Sequence, residues 1–330
     1  VDLGGLSSAV TVTIESDGNL TFPEGVARAN VIFSNAADVD VRSDGGGSIS
    51  VNANNIDVLG GEFGGSSVAA GILPESTSAD AQAGDINLNA TGTISLIQGS
   101  SIFNQVDSGA TGNAGNIIVN TENLSLLDGS QITAGVFGTG NAGKVEIVAS
   151  EDITFQGIDN SGLPSGVVNN VASGGVGNAG NVVITASNIN LIDGGRISSD
   201  AFGTEDADNN AGNIEINATN NITISGATEF AGSEEFFPTV IFSQVSSQTG
   251  TNVAGNAGDI KIDANSLAIS DRAFLSSSTN GQGSAGNIGV DAATSVSLSD
   301  ASSIFSQVNS DTKQEGGEIT VDTVDLSLSY

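Results

Sequence analysis

One glycine recurs along this chain in a fixed local setting. It stands at Gly47, Gly84, Gly115, Gly143, Gly180, Gly212, Gly258, Gly286 and Gly317, in phrases such as Ala114-Gly115-Asn116-Ile117-Ile118-Val119. The shortest interval between copies is 28 residues and the longest is 46. Two residues after each copy comes Ile or Val, four residues after comes Val, Leu or Ile, and six after comes Ala or, at Thr121 and Thr323, Thr. Strict alternation of β-branched residues predicts a strand with one buried face, and the period of two excludes an amphipathic helix. Self-similarity at such a period is the signature of a solenoid, in which each repeat buries its apolar face only against its neighbours.

Two further strands follow in each unit. The second carries inward pairs such as Ile94/Leu96, Leu124/Leu126 and Ile189/Leu191, and closes on a turn such as Asp128-Gly129 or Asp193-Gly194. The third is anchored by Ile102, Ile132, Ile197, Leu275 or Ile304, and a Gly-Asn-Ala-Gly phrase ends the unit. Three short strands per coil, all running one way, predict an all-β chain folded as a single parallel β-helix. Right-handed winding is expected on steric grounds. An irregular first stretch over 1–43 and the repeats over 44–330 predict about ten coils, roughly 50 Å long at the usual strand spacing. Three units are longer than the rest. Their extra residues fall near 61–82, 157–176 and 227–254, after the second strand, which predicts side loops on one face of the solenoid.

Composition narrows the function. Formal net charge is −31, and the seven basic residues are scattered along the chain. Nucleic-acid binding needs clustered cations to displace counterions from phosphates, so no nucleic-acid partner is expected. Anionic membrane surfaces are disfavoured for the same reason, and no apolar run reaches the 18 residues of a membrane span. The chain has neither His nor Cys, which removes the commonest general base and the thiol nucleophile. Paired carboxylates remain the one catalytic resource, but the acids are spread evenly, so the chain is expected not to be an enzyme.

The phrases Gly-Asn-Ala-Gly-Asn-Ile-x-Ile, Leu-x-Leu-x-Asp-Gly-x-x-Ile and Phe-Gly-Thr-Gly-Asn, cleanest over 113–143 and 178–213, resemble the repeats of filamentous-haemagglutinin-type exoproteins, particularly cyanobacterial ones. The resemblance covers nearly all of the chain from about residue 44. It implies a right-handed β-helix, export through an outer-membrane partner pore, and a secreted or cell-surface role as an adhesin or fibre. The Asn-Pro-rich secretion domain of such proteins is not found here. Val1 in place of an initiator Met predicts a mature or excised segment, and the close at Tyr330 within a coil predicts an internal segment or an assembling subunit.

Several residues invite a sharper reading. Gly138-Thr139-Gly140-Asn141-Ala142-Gly143 matches the dinucleotide pattern GxGxxG, but an alternating strand follows where a helix is required, so these glycines are read as a turn. No organic cofactor is expected. Structural calcium is the one ion considered, since hard cations take carboxylates. The candidates are Asp128, Asp193 and the run Glu205, Asp206 and Asp208. The Asn residues following the anchor glycine (Asn116, Asn181, Asn213, Asn287) are expected to stack as a hydrogen-bonded ladder. Phe103, Phe242 and Phe305 lie in near-identical phrases and are expected to stack along the solenoid. The richest side loop carries Glu229, Phe230, Glu234, Glu235, Phe236 and Phe237 and is the candidate binding surface, for a glycan or another cell-surface ligand. End-to-end self-association, or continuation in a longer chain, is the other expected partnership. The resulting reading is a non-catalytic, secreted structural or adhesive β-helix. A loop-based carbohydrate-binding module is the alternative, and a polysaccharide-degrading enzyme stands third.

Overall fold

Every alternating segment of the sequence is a strand in the computed structural model, and its inward residues form columns of like side chains. The structure describes residues 1–8, 13–14, 20–21, 26–62, 64–78, 81–202, 209–229, 236–246, 255–309, 314 and 316–330. Among these there is no helix. Strands at the first position of each turn pair in parallel and in register, so that Ile49, Ile86, Ile117, Val145, Val182, Ile214, Ile260 and Ile288 form one buried row. The second position gives the row Ile56, Ile94, Leu124, Ile153, Ile189, Ile222, Leu267 and Val296. The third gives Val68, Ile102, Ile132, Val167, Ile197, Ile241 and Leu275. These rows form one continuous core. Each fully buried aliphatic side chain contributes on the order of 1.5–3 kcal/mol, and every turn supplies several.

The chain is an all-β parallel solenoid of about eight turns, fewer than the ten coils expected. The anchors overcount because the stretches at both ends are partial circuits. Asp2–Gly4, Val31–Ser34 and Asp38–Asp40 each cover one strand of the following turn, and Ile319–Leu328 lies on the last. Strand division also differs from expectation. Ile260–Ile269, Ile288–Leu298 and Ile319–Leu328 each run through the first and second positions as one strand. A register shift at Ala264/Ser266 and at Ala292/Ser295 marks the bend. These long strands join the first two positions into one 17-stranded sheet, while the third position forms a nine-stranded sheet. The three long stretches likewise hold third-position strands of their own: Ser67–Ile72, Gly166–Val171 and Val240–Ser246.

The recurring glycine sits at the corner between third and first positions. A Cβ added to Gly115, Gly143, Gly180, Gly212, Gly258, Gly286 or Gly317 would collide with the carbonyl of the anchor glycine one turn earlier. Three residues upstream Gly112, Gly140, Gly177, Gly255 and Gly283 form a second such column, and Asn209 takes the corresponding place in one turn. Gly140 and Gly177 also hold φ near +148° and +145°, a region that side chains rarely enter. The phrase that matched a dinucleotide loop is therefore a stacking corner.

Three polar columns hold the corners in register. Just inside the third strand, Asn169 donates Nδ2 to Gly143 O at 2.7 Å and accepts from Gly180 N–H at 2.8 Å. Asn104, Ser199, Ser243, Ser277 and Ser306 bridge successive anchor glycines the same way. On the outside, Asn141, Asn178, Asn210 and Asn256 each donate backbone N–H and Nδ2 to the Asn Oδ1 one turn back. The expected ladder after the anchor is present too. From Asn181 it runs through Asn213, Asp259 and Asn287 to Glu318, each later backbone N–H donating to the carboxamide or carboxylate oxygen before it, while Asn116 is joined to Asp85 and Lys144 in a separate stretch. Only that oxygen is used, so Asp259 serves as well as Asn.

The glycine column makes a paired prediction. Gly180→Ala should destabilise the fold by several kcal/mol, since the new Cβ must displace backbone. Gly289→Ala, where nothing lies within 4 Å of the added carbon, should stay within about 0.5 kcal/mol of the parent. Denaturant titration followed by circular dichroism checks both, and equal effects would refute the stacking account.

Candidate functional site

The turn between second and third positions repeats a two-residue left-handed step. It is built by Gln98-Gly99, Asp128-Gly129, Asp193-Gly194, Asp271-Arg272 and Asp300-Ala301, with φ from 51° to 95° at these residues. Asp and Gly tolerate this conformation, which explains the Asp-Gly pairs. Asp128 and Asp193 lie two turns apart on this edge. Among the described residues no group of three or more acids is placed to hold a metal ion. Glu205, Asp206 and Asp208 lie outside the described residues, as do Phe230, Glu234 and Glu235 of the side loop.

The rest of that side loop is a small antiparallel hairpin, Ala227–Glu229 with Phe236–Pro238. It is fixed to the Asp193-Gly194 turn by a hydrogen bond from the Thr228 hydroxyl to Asp193 O. Glu229 is exposed, Phe237 is half-buried, and Phe236 is 45% exposed. The guanidinium of Arg272 lies over the Phe236 ring, 4.8 Å from its centre. Asp271 and Asp300, from two successive turns, stand beside it, and Arg272 N–H bonds Asp300 O at 2.9 Å. Together with Ala227 these residues line an open cleft of about 330 Å³.

Arg272, like Arg28, stands apart from the ion-paired cations of the described residues. Arg42, Lys144, Arg196 and Lys261 are each paired with a carboxylate. Arg272 has no carboxylate within ion-pair distance among the described residues, although the chain is strongly acidic. It also holds φ at +66° where three of the other turns place Gly99, Gly129 and Gly194, and a long side chain there carries backbone strain. The sequence marked this stretch as a side loop, but not its hairpin, and Arg272, Asp271 and Asp300 went unmarked. The signal was an Arg in the slot where other turns carry Gly.

Arginine also decides what the repeated Phe residues do. Phe103 and Phe242 point outward, but their register neighbours are Ala69 and Thr133, and Ser198 and Ser276. They do not stack on one another. Arg42 caps Phe103 at 5.4 Å and Arg196 caps Phe242 at 4.5 Å. Phe305 instead meets Phe274 of the preceding turn at 5.5 Å. Arg196 also bonds the buried Asp200 at 3.1 Å. Burial pushes the Asp200 carboxyl up, and Arg196 opposes that shift.

A shallow depression of about 360 Å³ lies at the opposite corner, lined by Thr185, Asn217, Thr219, Asp263 and Asn265 among others. It holds no aromatic or cationic side chain, so the hairpin cleft is the better candidate.

In comparisons with known proteins, no family model, no curated protein and no solved structure matches the chain. The likeness to haemagglutinin-type exoproteins therefore rests on the repeat phrases alone.

The Arg42 cluster has a pH signature. Its bonds to Asp40 (2.7 and 3.1 Å) hold that carboxyl below the usual carboxylate range. A depressed carboxylate stabilises the fold above its unfolded pKa, and that stabilisation is lost as pH falls through the folded pKa. Arg42→Gln should lower stability by on the order of 1 kcal/mol at pH 7, less in high salt because Asp40 is partly exposed. The difference should shrink below about pH 4, leaving the part owed to Phe103. Thermal melts of both proteins from pH 2 to 7 read this directly.

Proposed function

We propose that the chain is a non-catalytic structural or adhesive rod that works outside the cell and presents side loops from a stiff, right-handed parallel core of three-sided turns. The single observation that carries this is the unbroken register of the core rows from Ile49 to Ile288. A stack in which each turn is bonded to its neighbours resists bending and fixes loop positions along one axis. Right-handed winding rests on the general rule for parallel crossovers. The extracellular placement rests on the repeat phrases that resemble exoprotein repeats, and on an acidic surface that favours solubility.

A non-catalytic role is favoured by the chemistry at hand. Asp271 and Asp300 both stand open to water. Glycoside hydrolysis by two carboxyls sets the acid in apolar surroundings, and neither of these two side chains is enclosed in that way.

The partner we favour for the core itself is more of the same repeat. Ile319, Leu326 and Leu328 continue the buried rows yet are 42%, 55% and 68% exposed. A further turn of this pattern, from a second copy or from the same polypeptide, would cover them and extend the ladders. Open strand edges favour such pairing.

Negative-stain electron microscopy across a hundredfold concentration range tests this reading. Straight rods, lengthening by end-to-end addition as concentration rises, are the expected outcome. Globular particles, or release of reducing ends from a polysaccharide panel, would refute it.

A further inference from the structure

The hairpin cleft has a chemistry that the rod reading does not use. Phe236 is 45% exposed with one ring face capped by Arg272, Arg272 offers guanidinium donors with no ion-paired partner among the described residues, and Asp271 and Asp300 offer carboxylate acceptors. All four sit on turns or strands bonded to the rest of the fold. Arg272 and the two Asp residues sit on left-handed turns locked to adjacent turns of the solenoid, and Phe236 is on a paired hairpin strand.

We propose that this cleft is a binding subsite for a neutral saccharide unit, which deepens the adhesive-rod reading and rests on it. An aromatic face covers the apolar face of a sugar ring, and a few fixed polar groups set its orientation. Carboxylates accept from sugar hydroxyls, and the guanidinium donates to hydroxyl or ring oxygens. The ligand is neutral, not acidic, because of the surrounding charge. One arginine faces Asp271, Asp300 and the nearby Glu229, on a chain of net charge −31. A polyuronate or sulfated glycan meets like charge on approach and in the cleft.

Gly fills the same slot in three other turns and Ala301 fills it in a fourth, so the long Arg272 side chain sits on a strained backbone that Gly would relieve. That gives a test in which binding and folding move apart. Titration calorimetry is run on the whole chain with gluco-, manno- and galacto-hexasaccharides and with the matching hexauronates. The expected result is binding of at least one neutral hexasaccharide and at least tenfold weaker binding of every uronate. Arg272→Gly should lower affinity at least tenfold while leaving the melting temperature unchanged or higher. Phe236→Ala should also lower affinity at least tenfold, and Phe137→Ala, an exposed ring elsewhere, should leave it unchanged.

The inference is overturned if no neutral hexasaccharide binds at millimolar concentration. It is equally overturned if uronates bind better, or if Arg272→Gly and Phe236→Ala bind like the parent. Rods seen by microscopy together with any of these results would remove the saccharide site and leave the rod. Binding without rods would do the reverse.

Discussion

The fold depends on the close approach of backbone to backbone at one corner. Turns stack only if the chain can pass directly over itself at the strand spacing, about 4.8 Å. At the third-to-first corner the direction that a Cβ would take points along the stacking axis, into the carbonyl one turn below. Glycine is the residue that fits, and the column repeats because the geometry does. The apolar rows supply most of the free energy, but they are permissive about identity: Ile, Val, Leu and, at Phe33 and Phe155, Phe occupy equivalent inward positions. The glycine column is not permissive, and it sets where each turn begins.

Around that corner the polar columns settle the fate of backbone groups that strands leave unpaired. Asn169 or Ser243 inside the wall answers a carbonyl of one turn and an N–H of the next. Ala70 and Ala134 occupy the same inward row, so individual turns tolerate the loss. The ladder after the anchor needs only an oxygen acceptor, and Asp85 and Asp259 fill the role beside Asn. This explains how an acidic chain spends some of its carboxylates on structure. Lys144 shows the limit. Its backbone N–H donates to Asn116 Oδ1, but its side chain has no acceptor to pass the ladder on and bonds Glu146 instead.

Much of this was legible in the sequence because a parallel stack writes the same constraint once per turn. The strand positions, inward residues and corner glycines repeat, and repetition separates them from chance. What did not repeat was not legible. The fusion of first and second strands after Ile260 carries register shifts at Ala264 and Ala292, yet Ala stands at that corner in earlier turns too, so no residue type announces it. The overcount of turns came from strands that lie on the ends of the stack without completing a circuit. The candidate cleft joins residues from three turns, 227–238, 271–272 and 300. Each looks like an ordinary connector alone, and only the register of the solenoid brings Arg272 over Phe236.

The absence of cysteine from the chain makes the central claim directly measurable. Ser95 and Ser297 are half-buried residues on the outward face of the second strand position. They are joined by an unbroken register through Ser125, Thr154, Asn190, Thr223 and Ala268. Spin labels on Ser95→Cys and Ser297→Cys should give one narrow distance near 29 Å by electron paramagnetic resonance, with about 19 Å for Ser95→Cys and Thr223→Cys, at the strand spacing of about 4.8 Å per turn. A distance that grows in proportion to the number of turns is the predicted result. A broad distribution, or distances unrelated to turn number, would contradict the stacked solenoid itself.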